Sequence, residues 1–206
     1  RMWAWALLAC CAILVCGLGA LFAHQTQPDR LDRAVDAPII TWLARHPGLA
    51  GWLAAPGSLI PAVALSAVIA VACLLAGRLN GAVLAAVAVP AATGLNDGLL
   101  KPLVHRTYLG VLTYPSGHTT TMFALAATVG MLLLSSSRPT RAVALRVLIS
   151  AAVCLPGGVV AVGVIGLRWH YFTDTAAGAA LGIGTVCALA LLLDLTAVRR
   201  WLAWGR

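Results

Sequence analysis

Two histidines stand where an apolar run begins, and each has polar neighbours suited to an anion. The first lies in Tyr114-Pro115-Ser116-Gly117-His118-Thr119-Thr120-Thr121, the second in Gly166-Leu167-Arg168-Trp169-His170-Tyr171-Phe172-Thr173-Asp174. Upstream, the segment 96–106 runs Asn96-Asp97-Gly98-Leu99-Leu100-Lys101-Pro102-Leu103-Val104-His105-Arg106, with the only Lys of the chain at Lys101. Pro-Ser-Gly before a helix supplies a turn, a hydroxyl and a backbone that an oxyanion can approach. Helix starts near His118 and Thr173 would present unpaired N–H groups and partial positive charge. Lys101, Arg106 and Arg168 can surround one point from neighbouring loops, as a phosphate group requires. Two imidazoles then provide one nucleophile or base and one acid. Asp174 follows His170 by one helical turn, so its carboxylate is placed to accept from the imidazole and fix the tautomer.

A metal centre fits poorly. There is no Glu in the chain, and Asp97 and Asp174 are the only carboxylates near these segments, too few for a hard-cation cage. The six Cys all lie inside apolar runs without ligand spacing to His and read as small buried hydrophobes. No cofactor is expected. Asp97 and Lys101 are four apart and can pair on a helix end, leaving Asp97 as a supporting residue. His105 reads as a solvated loop histidine, and Tyr108, Tyr114, Trp169 and Tyr171 as interfacial anchors.

The elements that must hold these residues are membrane spans. Hydrophobic residues make up 61% of 206 positions and charged residues 10%, far too little charge to cover a soluble domain of this length. Apolar runs of bilayer length cover about 3–23, 59–77, 81–100, 118–134, 142–166 and 173–198. The expected fold is therefore all-α: one polytopic membrane domain over 1–206, a six-transmembrane-helix bundle. In the long first connection, the stretch 28–45 sets Leu31, Val35, Ile39 and Trp42 on one side at helical spacing, which predicts an interfacial helix in the first extracytoplasmic loop. The chain opens on Arg1, which implies a trimmed N-terminus, and its first run is long enough to span rather than be a signal peptide.

Net charge is +8, from 13 Arg, one Lys and 6 Asp, yet the Arg residues form no basic face or stripe, which argues against a nucleic-acid partner. They read as topology determinants. With the N-terminus cytoplasmic, Arg1, Arg78, Arg138, Arg141, Arg199, Arg200 and Arg206 fall inside, with Trp201 and Trp204 in an interfacial belt. Outside, Arg30, Arg33 and Arg45 of the first loop are balanced by Asp29, Asp32 and Asp36. Both termini are then cytoplasmic in a cell (plasma) membrane, and the histidine loops face away from the cytoplasm.

These segments resemble the type-2 phosphatidic-acid phosphatase superfamily, whose pattern is Lys, six residues, Arg-Pro; then Pro-Ser-Gly-His; then Ser-Arg, five residues, His, three residues, Asp. Pro115–His118 match the second part in full, His170 and Asp174 the end of the third, and Lys101 the start of the first. The family's Arg-Pro falls on Tyr108-Leu109 and its Ser-Arg on Gly163-Val164, so both of those cations are missing. Arg106 and Arg168 are the replacements nearest in sequence.

The resemblance implies a metal-independent phosphatase. In it His170 is the nucleophile that forms a phosphohistidine, Asp174 orients it, and His118 protonates the leaving oxygen and then activates water. Lys101, Arg106 and Arg168, with Ser116 and the Gly117 N–H, would hold the phosphoryl oxygens. An outward-facing site suits a lipid-linked phosphate or pyrophosphate, such as a polyprenyl pyrophosphate or related envelope lipid precursor. Phosphatidylglycerophosphate and phosphatidic acid are alternatives within the class. A degenerate member that binds or moves lipid-linked intermediates is the rival from another class. Expected partners are the lipid phosphate substrate and membrane lipids; a homo-oligomer is compatible with the sequence.

Overall fold

The computed structural model describes residues 2–46, 48–134 and 143–193, and within them the chain is almost entirely helical. Helix α1 (Met2–Phe22) is followed by α2 (Arg30–Leu43), α3 (Leu49–Ala54) with a 3-10 turn over Ala55–Gly57, α4 (Leu59–Leu75) and α5 (Leu79–Leu95). A π-turn over Asn96–Leu100 leads into the short α6 (Lys101–Val104). A two-stranded hairpin, β1 (Thr107–Tyr108) and β2 (Val111–Leu112), precedes α7 (Gly117–Leu134), α8 (Val143–Ala152), α9 (Leu155–Gly166) and α10 (Phe172–Leu192). Among the described residues, five helices are long and apolar enough to cross a membrane: Met2–Phe22, Leu79–Val104, Gly117–Leu134, Val147–Gly166 and Phe172–Leu192. The pair Leu49–Gly57 and Leu59–Leu75, bent by 45°, makes up to six if it counts as one span.

Apolar patterning alone does not show where helices meet, since Leu and Val cover both the lipid-facing and the inner sides. Small residues decide it. On α10, a Cβ at Gly178 would lie 2.5 Å from the Ser116 carbonyl, and one at Gly182 2.5 Å from the Thr120 carbonyl and 2.7 Å from the Ala124 nitrogen. The two glycines thus seat α10 directly on the first turns of α7, bringing both histidine segments together. The shared core holds Ala88, Val89, Ala92, Ala124, Val160, Val164 and Val186.

Where the residues are described, the expected runs coincide with these helices to within a few residues, with three differences. The stretch before α4 is helical and turns back towards the bundle, so Gly57 touches His118 rather than trailing in a loop: a Cβ there would lie 2.9 Å from the His118 carbonyl. The third span runs on through the π-turn to Val104. The fifth is broken between α8 and α9, ahead of Pro156. The predicted ends at Ala142 and Val198, with Arg1, Arg138, Arg141, Arg199, Arg200, Arg206, Trp201 and Trp204, lie outside the described residues.

Helix α2 forms where the periodicity places it, capped by Asp29, whose side chain accepts from the Asp32 N–H at 2.7 Å. Leu31 and Trp42 are exposed, and the buried side is acidic: Asp32, Asp36 and Leu43. Asp32 is therefore no counter-charge for the surface arginines of its loop; it pairs with Arg106, far along the chain. Tyr114 and Tyr171 are likewise buried rather than interfacial, with the Tyr114 hydroxyl donating to the Val15 carbonyl.

Candidate active site

Three helix ends converge on one cavity. The third span delivers Lys101 through its π-turn, a widened turn that shifts the side chains beyond it around the axis. The Lys101 ammonium sits 2.8 Å from Asp97, so the expected pairing along this helix is present. On the inner side of the same turn, Asn96 is fully buried. With its amide oriented to satisfy both neighbours, it donates to the Pro115 carbonyl at 3.0 Å and accepts from the Gly117 N–H at 3.1 Å. That amide clamps the Pro-Ser-Gly turn in front of His118.

Helix α9 ends in a Schellman motif: the Arg168 N–H donates to the Ile165 carbonyl at 2.8 Å and the Trp169 N–H to the Val164 carbonyl at 3.0 Å. The position past the cap needs a left-handed backbone, usually glycine, yet here it is Arg168 at φ 58°. A non-glycine residue held there carries local strain, as functional positions often do. The motif turns the chain so that Arg168, Trp169 and His170 all face the cavity.

The cavity has a volume of about 490 Å³ and is lined by Lys101, Asp97, Gly117, His118, Arg168 and His170 among its polar residues. Its apolar wall includes Leu59, Leu109, Val111, Leu112 and Trp169, the last against the His118 ring with centroids 5.4 Å apart. Both histidines and two of the three expected cations are thus gathered around one space. Among the described residues, no three His, Cys, Asp or Glu side chains group as a metal site.

The His170 Nδ1 lies 2.9 Å from the Thr113 carbonyl. A carbonyl only accepts, so the ring proton belongs on Nδ1 and Nε2 keeps its lone pair. Burial foremost, with the charges of Lys101 and His118 acting in the same direction against the opposing Thr113 bond, pushes the imidazole down to about 3. At neutral pH His170 is therefore uncharged, the form in which a ring nitrogen can attack phosphorus.

The remaining expectations need correction. Arg106 does not line the cavity: its guanidinium is fully buried, 2.5 Å from Asp32 and 2.7 Å from Asp174, between the rings of Phe22 and Tyr171 at 4.2 and 4.4 Å. Its two terminal nitrogens are taken by carboxylates and both of its faces by aromatic rings, while its Nε has no hydrogen-bond partner among the described residues. Asp174 does not hydrogen-bond the imidazole, since its nearer oxygen is 4.0 Å from Nδ1. That carboxylate accepts from Arg106 and, at 3.0 Å, from the Tyr171 N–H. Ser116 is fully buried outside the cavity, its hydroxyl without a partner among the described residues and its N–H donating to the Asp174 carbonyl at 3.0 Å. Gly117 lines the cavity, but its N–H is engaged by Asn96.

Asn96 and the Thr113 carbonyl were not apparent from sequence. An Asn inside a span is itself a signal, because an intramembrane amide needs a partner. A backbone carbonyl leaves no sequence trace. Against known proteins, the family model described as the PAP2 superfamily matches residues 62–196. No curated protein matches the chain, and no solved structure does.

Proposed function

The chain belongs to the PAP2 superfamily, and from that premise we propose that it hydrolyses a lipid-linked phosphate or pyrophosphate through a phosphohistidine on His170. One observation carries this: His170, with its proton held on Nδ1 by Thr113, opens Nε2 to a cavity that also holds His118, Lys101 and Arg168.

The His170 Nε2 lone pair forms the N–P bond as the P–O bond to the lipid side breaks. His118 gives its proton to that leaving oxygen. Lys101 and Arg168 neutralise charge on the equatorial oxygens, where fixed cations in a poorly screened site lower the barrier most. His118, now neutral, takes a proton from water as its oxygen attacks phosphorus. The N–P bond then breaks, releasing phosphate and restoring both imidazoles.

The substrate we favour is a polyprenyl pyrophosphate or a related envelope lipid precursor, with phosphatidylglycerophosphate or phosphatidic acid as alternatives. Support comes from the apolar cavity wall beside the cations. The bent pair would act as one span to complete six, and α2 would lie in the interface on its Leu31 and Trp42 side. The cavity would then face away from the cytoplasm of a plasma-membrane protein. Cys placed at Leu112 in a Cys-free background should react with an impermeant thiol reagent on intact cells; labelling only after lysis would reverse the orientation.

The test of function is phosphate release from a panel of prenyl and glycerolipid phosphates in excess chelator, with vanadate as inhibitor. Release that His170→Gln abolishes is expected. Absence of release from every lipid phosphate would favour a member that only binds or moves lipid intermediates, and activity that needs Mg²⁺ restored would overturn the mechanism.

A further inference from the structure

We infer that Asp32, on the first-loop helix and outside the family-matched segment, works with Arg106 as a positioning pair that holds His170 in its attacking orientation. This rests on the phosphatase reading above. All parts of the pair are shut away from the cavity: Asp32, Arg106 and Asp174 are each fully buried. One Asp32 oxygen accepts from Arg106, and the other accepts from the Thr173 N–H and hydroxyl, both at 2.9 Å. The Arg106 guanidinium donates on to the Thr173 hydroxyl and to Asp174, both at 2.7 Å.

From this hub, two routes reach His170. Along the backbone, the Arg106 carbonyl accepts from the Thr113 N–H at 3.0 Å, and the Thr113 carbonyl is the group that holds the His170 Nδ1. Through side chains, Arg106 fixes Asp174, which caps the Tyr171 N–H next to His170. The Asp174 carbonyl also receives the Ser116 N–H, tying in the turn before His118. The residue that follows His170, the one that sets its tautomer and the turn before His118 thus hang on one buried ion pair. An ion pair serving only to join α2 to the bundle would not need to bond each of these. Opening Arg106 to bind phosphate would strand Asp32 and Asp174 as unpaired buried charges, a heavily destabilising change.

The experiment compares purified wild type with Asp32→Asn, Arg106→Lys, their double variant and Thr173→Val. For each it measures kcat, KM, inhibition by inorganic phosphate and the ¹⁵N spectrum of His170 in histidine-labelled protein. Small misplacements of a reacting group cost on the order of a hundredfold. Asp32→Asn should therefore lower kcat by roughly tenfold to a hundredfold, with KM and phosphate inhibition within about twofold of wild type. The His170 signal should lose its single Nδ1–H tautomer. Because the two residues act as one unit, the double variant should be little worse than the poorer single. Unchanged kcat in folded Asp32→Asn overturns the inference, as does weaker phosphate inhibition with kcat kept in Arg106→Lys. If Asp32→Asn does not fold, Thr173→Val, which keeps shape but removes the bridging hydroxyl, must show the same split; normal kcat there also overturns it. A wild type that releases no phosphate from any lipid phosphate would defeat the functional reading instead, while the His170 tautomer still decides between a positioning pair and a merely structural one.

Discussion

The first turn of α10 separates two charged regions. In front lies the cavity, where Lys101 and Arg168 face two histidines and the half-exposed Asp97 is the carboxylate among them. Behind lies a sealed cluster in which one guanidinium, Arg106, meets Asp32 and Asp174, with Asp36 beside them. Arg106 and Arg168 look equivalent in sequence, each close to a catalytic segment and each a candidate for a missing family cation. What separates them is the supply of partners. Arg106 has two carboxylates and two aromatic faces; Arg168 sits on a strained turn beside open space. A cation whose charge is matched by two buried acids anchors structure, and one held out over a cavity is available to substrate.

The strongest way to break this contrast is at the histidine between the two regions. His170→Gln should lower lipid-phosphate turnover by at least about a thousandfold, as for loss of a covalent nucleophile, while the detergent-solubilised protein keeps its melting profile. Retained turnover would move the chemistry out of the cavity.

Next in size is Arg168. Arg168→Ala should reduce turnover by about a hundredfold, comparable to removing one donor to the charge that develops in the transition state. Arg168→Gly should lose as much activity yet melt at higher temperature than Arg168→Ala, because glycine adopts the left-handed backbone at little cost whereas alanine is strained by about 1 kcal/mol. If both variants keep near wild-type turnover, Lys101 is the sole cation at the phosphate.

How much of this was readable from sequence differs between the same two regions. The spans, the two histidines, Lys101 and the Asp97 pairing were legible because hydropathy, helix starts and i,i+4 spacing are local signals. The side of α2 that turns inward was not. Leu31 and Trp42 mark its apolar stripe, and in a soluble protein that stripe would be the buried one. In this chain the carboxylates go inward instead, where Asp32 meets Arg106 and Thr173 and Asp36 accepts from the Phe172 N–H. The Asp32–Arg106 pair spans 74 positions, and no spacing rule connects residues so far apart. The partners of Ser116 and Gly117 were hidden for another non-local reason: Asn96 and Asp174, from other elements, take their N–H groups.

A smaller effect is expected at Asp97. Its ion pair with Lys101 is partly exposed, and such pairs contribute about 0–1 kcal/mol. Asp97→Asn should leave folding untouched and free Lys101 for the substrate, lowering KM by roughly twofold to fivefold at little change in kcat. A large fall in kcat would instead give Asp97 a part in the chemistry.

The smallest effect concerns the sealed region and is read by pH rather than activity. Burial foremost, with the neighbouring Asp32 acting in the same direction against the opposing bond from the Phe172 N–H, raises the Asp36 carboxyl from 3.8 to about 7. Between these two values the folded protein binds a proton that the unfolded chain has lost, so the stability Asp36 contributes falls as pH rises through about 7. Asn cannot ionise, and it keeps an oxygen for the Phe172 N–H. The comparison between wild type and Asp36→Asn cancels the titrating groups that do not interact with Asp36, His170 included. Relative to Asp36→Asn, wild type should therefore lose about a few degrees of melting temperature between pH 5 and 8, with most of the change below about pH 7 and little above it. A difference of the opposite sign for Asp36 would mean that it is ionised and paired inside the cluster, so that Arg106 serves three acids instead of two.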